Sequence, residues 1–400
     1  MNELVDEYQR VYAKINLDAL AENFNNIAKA TKEETKILAV LKTDAYGHGA
    51  VPIAKELEGY DKLYGFALAT AEEAFILRNS GITKPLLVLG YTFPNVYEEM
   101  ILKDISFTVF RSDMLKEIAL ICRRLSSTEY KYKAKVHIKV DTGMGRIGIT
   151  PDEDGLKFVE EALNYDELNV EGIFTHLAKA DEEQRDFTLE QIRKFKDFNT
   201  LIYDRLHTRI PLRHILNSAG IIEYPEEATE IVRAGIILYG LWPSDAVSKE
   251  KIKLKSVLSL HSQIVFIKKI KPGTSISYGG LFVSDREMLV ATVPVGYGEG
   301  YPRALSNKAD VLVKGIRCPI LGRICMDQLM IDVSNVPGVK ESDEVVLIGS
   351  DGADTITMEE LGEISGRFNY EMACDFGKRI PRVFTKDSRI LYTKDYYEDF

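Results

Sequence analysis

Short apolar runs alternate with amphipathic stretches along roughly the first 240 residues of the chain. Such runs are typical of buried strands, whereas apolar residues three or four positions apart are typical of helices. The predicted strands are Ile37–Leu41, Leu63–Leu68, Pro85–Leu89, Ser106–Phe110, Ala134–Val140, Asn169–Phe174, Arg213–Leu216 and Thr229–Val232. This rhythm predicts an α/β fold, a (β/α)8 TIM-like barrel. An open doubly wound sheet is the alternative, because counting strands in one sequence does not distinguish it from a barrel.

Several of the segments between these strands carry helix signals. Thr70-Ala71-Glu72-Glu73 and Thr150-Pro151-Asp152-Glu153 have the capping-box pattern, and the second has proline at the first helical position. Ile192, Phe195 and Phe198 keep the spacing of an apolar helix face. These signals fit helices that follow the barrel strands.

The pattern changes beyond about Pro243, where β-rich pieces are separated by Pro-Gly turns. Leu254–Ile270 alternates irregularly, and further strands are predicted at Glu287–Val295, Asp310–Val313, Cys318–Ile324, Met330–Val333 and Glu344–Ile348. A short helix is predicted over Met358–Phe368. We therefore expect a barrel over residues 1–243 and a mostly β domain over residues 244–400, with which about the first 12 residues are candidates for pairing.

Composition narrows the possible partners. Lys and Arg number 51 against 61 Asp and Glu, and a net charge of −10 argues against general binding to nucleic acid or an anionic membrane. The acidic start lacks the apolar region of a signal peptide, and no apolar run approaches the roughly 18 residues of a membrane span. The four cysteines, Cys122, Cys318, Cys325 and Cys374, form no CxxC pair. A cytoplasmic protein is the expectation.

The candidate chemistry lies at the carboxyl ends of the predicted strands, where barrel enzymes place their active sites. Lys42 follows the first strand, and a partly desolvated lysine suits Schiff-base formation, although a solvated lysine at the barrel rim is the alternative. Ser218 and the backbone around Gly235 and Ile236 fall where a barrel binds phosphate. The other strand ends carry Lys139, Asp141, His176, Asn217 and Arg233. A lysine with a phosphate site indicates a pyridoxal phosphate enzyme.

Three other sequence features are possible signs of function. Gly143–Gly148 matches G-x-G-x-x-G, but the next helix signal comes at Thr150 rather than at the glycines, as a dinucleotide site requires. Asp141-Thr142-Gly143 resembles the aspartic-protease triplet, but the chain has no second copy. Met326, taken by itself, is better explained as a residue that fills the core than as a residue of a site.

Motifs in order along nearly the whole chain resemble those of the alanine racemases. The first is Lys42-Thr43-Asp44-Ala45-Tyr46-Gly47-His48-Gly49, which is similar to the cofactor-lysine signature of that family. The others are His137–Arg146, Thr175–Ala178, Asn217-Ser218-Ala219, Val232–Ile236, Ile276–Gly279, Val295–Gly300, Gly322–Gln328, Asn369-Tyr370-Glu371 and Arg379–Val383. The resemblance implies a barrel-type isomerase that interconverts L- and D-alanine for peptidoglycan synthesis.

The family resemblance also implies a role for each catalytic side chain. Lys42 would carry pyridoxal 5′-phosphate as an imine and act as one base. Tyr278, from the partner subunit of a homodimer, would be the other base on the opposite face of the substrate. A free phenol with a pKa of about 10 is a poor base at neutral pH, so its surroundings must favour the phenolate. His176 and Arg233 would do this, and Arg233 would also face the pyridine nitrogen.

The remaining roles concern the cofactor phosphate and the substrate. The residues implied in cofactor binding are Tyr46, His176, Asn217, Ser218, Arg233, Gly235, Ile236 and Tyr370. Arg146 and the backbone of Met326 would bind the substrate carboxylate, and Tyr297 would line the entrance. Lys139 matches a lysine that is often carbamylated in the family.

Some positions depart from the commonest family pattern. Thr43-Asp44 stands where Ala-Asn is frequent, and Gly298-Glu299 where Ala-Asp is frequent. Three alternatives remain open at this point: a racemase of another small amino acid such as serine, a pyridoxal phosphate barrel-type decarboxylase, and a non-catalytic cofactor-binding protein. Arg233 argues against the decarboxylase, because those enzymes place an acidic residue at the pyridine nitrogen.

Overall fold

The computed structural model describes residues 10–127 and 130–397. After a first strand outside the barrel, β1 (Val11–Asn16), eight parallel strands close in chain order. They are β2 (Lys36–Val40), β3 (Leu63–Leu68), β4 (Leu86–Val88), β5 (Ile105–Val109), β6 (Ala134–Lys139), β7 (Leu168–Phe174), β8 (Leu212–His214) and β9 (Ile231–Ala234). Pairing of β9 with β2 completes the barrel. The predicted (β/α)8 barrel is confirmed.

Helices cover the outside of the barrel strands. Those of the barrel half are Leu17–Ala30, Ala50–Leu57, Ala71–Asn79, Tyr97–Leu102, Ser112–Leu125, Glu153–Leu163, Asp186–Leu206 and Ser218–Glu223. The capping box at Thr70 is confirmed, since its side chain accepts from the Glu73 amide at 3.3 Å. The box predicted at Thr150 is wrong, because the Asp152 carboxylate caps this helix instead. Asp152 accepts from the amides of Asp154 and Gly155 as well as from the Thr150 hydroxyl.

The rest of the chain is mostly β, as predicted. Its strands are β10 (Leu258–Gln263), β11 (Phe266–Ile270), β12 (Ser275–Ile276), β13 (Phe282–Val283), β14 (Met288–Val293), β15 (Asp310–Val313), β16 (Ile316–Pro319), β17 (Leu329–Asp332), β18 (Glu344–Asp351), β19 (Asp354–Ile356), β20 (Arg382–Lys386) and β21 (Arg389–Lys394). The helices Met358–Ser365 and Asn369–Asp375 precede β20. In the largest sheet, β1 pairs antiparallel with β10 and parallel with β20.

One apolar core runs through the barrel and into this sheet. Large side chains such as Phe66 and Phe107 on the barrel strands are completely buried, and burial of each contributes roughly 1.5–3 kcal/mol to stability. Charged and polar side chains, including His137, His214 and Arg233, are buried on the same strands. Buried polar groups require hydrogen-bonding partners, and the partners of these three side chains are described with the candidate site below. None of the described helices has the length and apolar character needed to cross a membrane.

Candidate active site

Lys42 begins a short left-handed turn directly after β2. Thr43, Asp44, Ala45 and Tyr46 all have positive φ, between 50° and 57°. Left-handed backbone is unfavourable for residues other than glycine and persists where surrounding contacts determine it. One such contact is the hydrogen bond from the Thr43 amide to Glu73 Oε1, at 2.5 Å. The turn therefore depends on groups that are distant in sequence.

The Lys42 amine lies among other cationic groups at the carboxyl end of the barrel. Its Nζ is 5.8 Å from the centre of the Tyr46 ring. Burial, and secondly the charge of Arg146, lower the pKa of the Lys42 ammonium below its ordinary value. A lysine with a lowered pKa holds more of its amine in the neutral, nucleophilic form.

Lys139 and Arg233 are both only 2% exposed and lie next to each other. Burial, followed by the charge of Arg233, lowers the pKa of Lys139 to about 7. Burial also lowers the pKa of Arg233, to about 9, and that of the His176 imidazole. With Arg146 nearby, the site has an excess of positive charge that an anionic ligand would neutralise.

Arg233 is held by hydrogen bonds on both terminal nitrogens. Nη1 lies 2.9 Å from His214 Nδ1, and Nη2 donates to the carbonyls of Thr175 and Ile215 at 2.7 and 2.9 Å. His214 Nε2 is 2.9 Å from His137 Nδ1, and His137 Nε2 is 3.1 Å from Glu171 Oε1. The guanidinium is thus connected through two buried histidines to a carboxylate.

Sequence reasoning did not single out His137, His214 or Glu171 as site residues. His137 occurs inside one of the family-like motifs, and His214 occurs in a predicted strand. The available signal was a polar side chain within an otherwise apolar barrel strand, which requires a buried partner.

Tyr46, Ser218 and Gly235 lie close together at the carboxyl end of the barrel. The Gly235 amide donates to Ser218 Oγ at 3.0 Å. A Cβ atom at Gly235 would lie 3.0 Å from Tyr46 Oη and 3.4 Å from Ser218 Oγ, so a side chain there would crowd both hydroxyls. The rings of Tyr46 and Tyr370 are 6.0 Å apart, and Ile236 is fully buried.

Asn217 has a local structural task. Its Oδ1 accepts from the Gly220 amide at 3.0 Å, which caps the helix Ser218–Glu223, and its Nδ2 donates to the Leu177 carbonyl at 3.2 Å. The side chain thereby fixes the backbone from which Ser218 projects.

Tyr278, Tyr297 and Met326 form a second group in the mostly β half. Their exposed fractions are 70%, 42% and 54%. The Tyr297 amide donates to the Cys325 carbonyl at 3.1 Å, and the next amide, of Gly298, donates to the Met326 carbonyl at 2.7 Å. Ser277, beside Tyr278, donates through Oγ to the Arg323 carbonyl at 2.5 Å. These bonds bring the three loops together.

The two groups are separate within one chain. Among residues 10–127 and 130–397, no hydrogen bond, ion pair or ring contact joins Tyr278, Tyr297 or Met326 to the residues around Lys42. The chain brings together Lys42, Tyr46, Lys139, Arg146, His176, Ser218, Arg233, Gly235 and Tyr370. It leaves three large side chains exposed to solvent.

Comparisons with known proteins give this arrangement a family. A sequence model described as the alanine racemase N-terminal domain matches residues 15–243, and one described as the C-terminal domain matches residues 257–384. The chain belongs to the alanine racemase family. The resemblance found in the sequence is thereby confirmed.

Curated relatives and solved structures agree with this family. The alanine racemase of Halothermothrix orenii is 44% identical over 376 residues, which cover 93% of this chain and 96% of that protein. Alanine racemase 1 of Clostridium acetobutylicum is 41% identical over 388 residues, covering 96% and 98%. A structure of alanine racemase from Clostridium difficile 630 has a TM-score of 0.91 at 38% identity, covering 97% of this chain and 98% of that one.

Proposed function

We propose that this chain is an alanine racemase, like the relatives that bear this name. It would interconvert L- and D-alanine and supply D-alanine for peptidoglycan precursors. The observation that carries the proposal is the partly desolvated Lys42 on its left-handed turn, near the buried cationic side chains of Lys139 and Arg233. The decarboxylase and serine racemase alternatives are not favoured by these relatives.

The residues present fit pyridoxal 5′-phosphate. Lys42 supplies the amine, and the absence of a Cβ atom at Gly235 avoids crowding the hydroxyls of Tyr46 and Ser218, which would bind the cofactor phosphate. The residues that would hold the cofactor are Lys42, Tyr46, His176, Asn217, Ser218, Arg233, Gly235, Ile236 and Tyr370. When bound, the cofactor withdraws electrons from the substrate and makes its α-proton acidic.

Two bases on opposite faces of the substrate carry the proton. Lys42 Nζ takes or returns the α-proton on one face, and its lowered pKa favours the neutral amine that this requires. Tyr278 Oη acts on the other face. Since Tyr278 is exposed and the described residues show no hydrogen bond, ion pair or ring contact between it and the residues around Lys42, it would reach the site of the partner subunit in a homodimer.

Arg233 would hold a positive charge beside the cofactor ring. Even with a pKa lowered to about 9 by burial and Arg146, its guanidinium remains protonated at neutral pH, and its hydrogen bonds to His214 and the backbone fix its direction. A group that keeps its protons does not transfer one to the ring nitrogen. This limits side reactions such as transamination.

The substrate carboxylate would be bound by Arg146 and by the backbone at Met326 of the partner subunit, with Tyr297 at the entrance. Lys139, if carbamylated, would present a carboxylate to Arg146. In this proposal residues 1–243 provide the cofactor site together with Tyr370, and residues 244–400 also provide the second base.

The test is a chirality-resolved assay over a panel of amino acids that includes L-alanine and L-serine. Borohydride reduction should first trap the cofactor on the peptide containing Lys42. Tyr278→Phe should retain trapping but lose most alanine racemisation, whereas Tyr203→Phe, on the exposed surface of a barrel helix, should behave as wild type.

Three results would count against the proposal. A cofactor-loaded protein that does not exchange the alanine α-proton with deuterated water would be non-catalytic towards alanine. Carbon dioxide release from lysine, ornithine or diaminopimelate would favour the decarboxylase. Wild-type racemisation by Tyr278→Phe would remove the second base.

A further inference from the structure

Asp44 lies two residues after Lys42, inside the left-handed turn, and both of its carboxylate oxygens are bound. Oδ1 accepts from the Ala50 amide at 2.7 Å. Oδ2 accepts from Tyr396 Oη at 2.6 Å and from Lys394 Nζ at 3.2 Å. Asp44 therefore joins the turn to the end of the described chain.

The segment from Arg389 to Tyr397, here called the C-terminal strap, comprises β21 and the three residues after it. It lies beyond residues 257–384, the part matched by the family's C-terminal domain. Within the strap, Lys394 Nζ is 4.3 Å from the centre of the Tyr396 ring. These two side chains thus approach Asp44 as a packed pair.

A buried arginine connects the strap to the same turn by a second route. The Arg382 guanidinium carbon is 5.2 Å from the centre of the Tyr396 ring, and its Nε donates to the Gly47 carbonyl at 3.0 Å. Its remaining donors bind the carbonyls of Phe376, Gly377 and Ile380. The strap therefore packs on a rigid support that also contacts the turn.

We propose that the C-terminal strap is a positioning element for Lys42, in which Tyr396 and Lys394 hold the Asp44 carboxylate and so fix the left-handed turn. This inference rests on the proposed function, in which Lys42 carries the cofactor. Consecutive left-handed residues need contacts from outside the turn, because the backbone alone disfavours them. A carboxylate suits this task since it accepts from an ammonium and a phenol on one oxygen.

Asp44→Asn and Tyr396→Phe test the proposal. Asparagine tolerates left-handed backbone and can still accept from the Ala50 amide, but it lacks the negative charge that pairs with Lys394, and its NH2 group cannot accept from Lys394 or Tyr396. Tyr396→Phe removes one hydroxyl and leaves the ring. The control is Tyr397→Phe, the same substitution one residue later on an exposed side chain.

Hydrogen–deuterium exchange of the amides of residues 45–50 is the main readout, measured together with kcat and KM for alanine. Loss of a hydrogen bond to a charged group should raise exchange there about tenfold in both variants. kcat should fall more than KM rises, because the lysine is misplaced while the substrate contacts remain. Tyr397→Phe should match wild type in all three measurements.

Wild-type exchange in both Asp44→Asn and Tyr396→Phe would overturn the proposal, and so would a lower kcat with unchanged exchange in the turn. If Asp44→Asn fails to fold, Tyr396→Phe decides alone. Exchange can be measured whether or not the protein racemises alanine, so a wild-type protein without activity would refute the proposed function and leave this test intact.

Discussion

At the scale of single residues, Lys139 is the most unusual group of the site. Its amine is buried beside Arg233 and near Arg146, and its one hydrogen bond among the described residues goes from Nζ to the Val140 carbonyl at 2.7 Å. A positive charge is unfavourable in this position, whereas a negative charge would interact with both arginines.

We therefore expect Lys139 to be carbamylated. With a pKa of about 7, much of the amine is neutral at physiological pH and can react with carbon dioxide to form a carboxylate. Protein equilibrated with 13C-labelled bicarbonate should give a carbamate resonance that Lys139→Met abolishes. Lys135→Met, on the same strand and paired with Asp104, should keep it; a resonance that survives in Lys139→Met would assign the carbamate elsewhere.

The same pKa predicts how stability depends on pH when carbon dioxide is removed. Burial and Arg233 lower the pKa of Lys139 to about 7 in the folded protein, against an ordinary value of 10.5. Between these values the unfolded chain binds the proton and the folded protein does not, so the free energy of unfolding rises with pH. The free energy of unfolding of wild type minus that of Lys139→Met should therefore increase by about 1 kcal/mol or more from pH 7 to 8.5.

Denaturant unfolding in degassed buffer measures this difference. Lys139→Met serves as the reference because it lacks the titrating group while the other ionisable groups are unchanged. A difference that stays constant or falls as pH rises would show that the Lys139 amine is not neutral in the folded protein.

Many of the site residues could be predicted from the sequence because they lie at the ends of strands, and strands are recognised from short stretches of sequence. Lys42, His176 and Arg233 each follow or end a barrel strand, and the fold brings strand ends together. The histidine chain behind Arg233 was missed, since its hydrogen bonds connect residues far apart in sequence. The catalytic and binding roles of the site residues stay predictions.

At the scale of elements, strand positions followed from apolar runs, but the turn at Lys42 did not. Every predicted barrel strand overlaps an observed one, because burial on both faces leaves a clear apolar signature. The left-handed turn contacts Glu73 and, through Asp44, the C-terminal strap, and local propensity does not report contacts with such distant segments. The cap at Asp152 shows a similar limit, since the choice between Thr150 and Asp152 depends on the path of the preceding loop.

The capping box at Thr70 connects helix stability with the site. Glu73 accepts from the amides of Ala69 and Thr70 through Oε2 and from that of Thr43 through Oε1. Thr70→Ala should lower the free energy of unfolding by about 1 kcal/mol, since it removes only the cap. Its kcat should stay within about twofold of wild type because Glu73 remains, whereas Glu73→Ala should lower both quantities.

Denaturant unfolding and steady-state racemisation check this separation, with Thr70→Ser as the control that retains the cap hydroxyl. Equal losses of kcat in Thr70→Ala and Glu73→Ala would mean that the helix end as a whole, rather than the bond from Glu73 to Thr43, supports the turn.

At the scale of the whole molecule, the separation of Lys42 from Tyr278 predicts a site shared between subunits. Tyr278, Tyr297 and Met326 are exposed on one cluster of loops, which is unusual for three large side chains at a proposed site. In a symmetric dimer the same surface of each subunit would complete the site of the other.

Hybrid dimers, made by co-expressing two differently tagged chains, test this arrangement. A hybrid of Lys42→Ala with Tyr278→Phe should have about half the wild-type activity. In one of its two shared sites, the Tyr278→Phe chain supplies Lys42 and the Lys42→Ala chain supplies Tyr278, so that site has both bases. A hybrid of wild type with the chain carrying both substitutions should be nearly inactive, since each site then lacks one base. If each chain formed its site alone, the first hybrid would be inactive and the second would keep half the activity, so the two preparations give opposite results for the two arrangements.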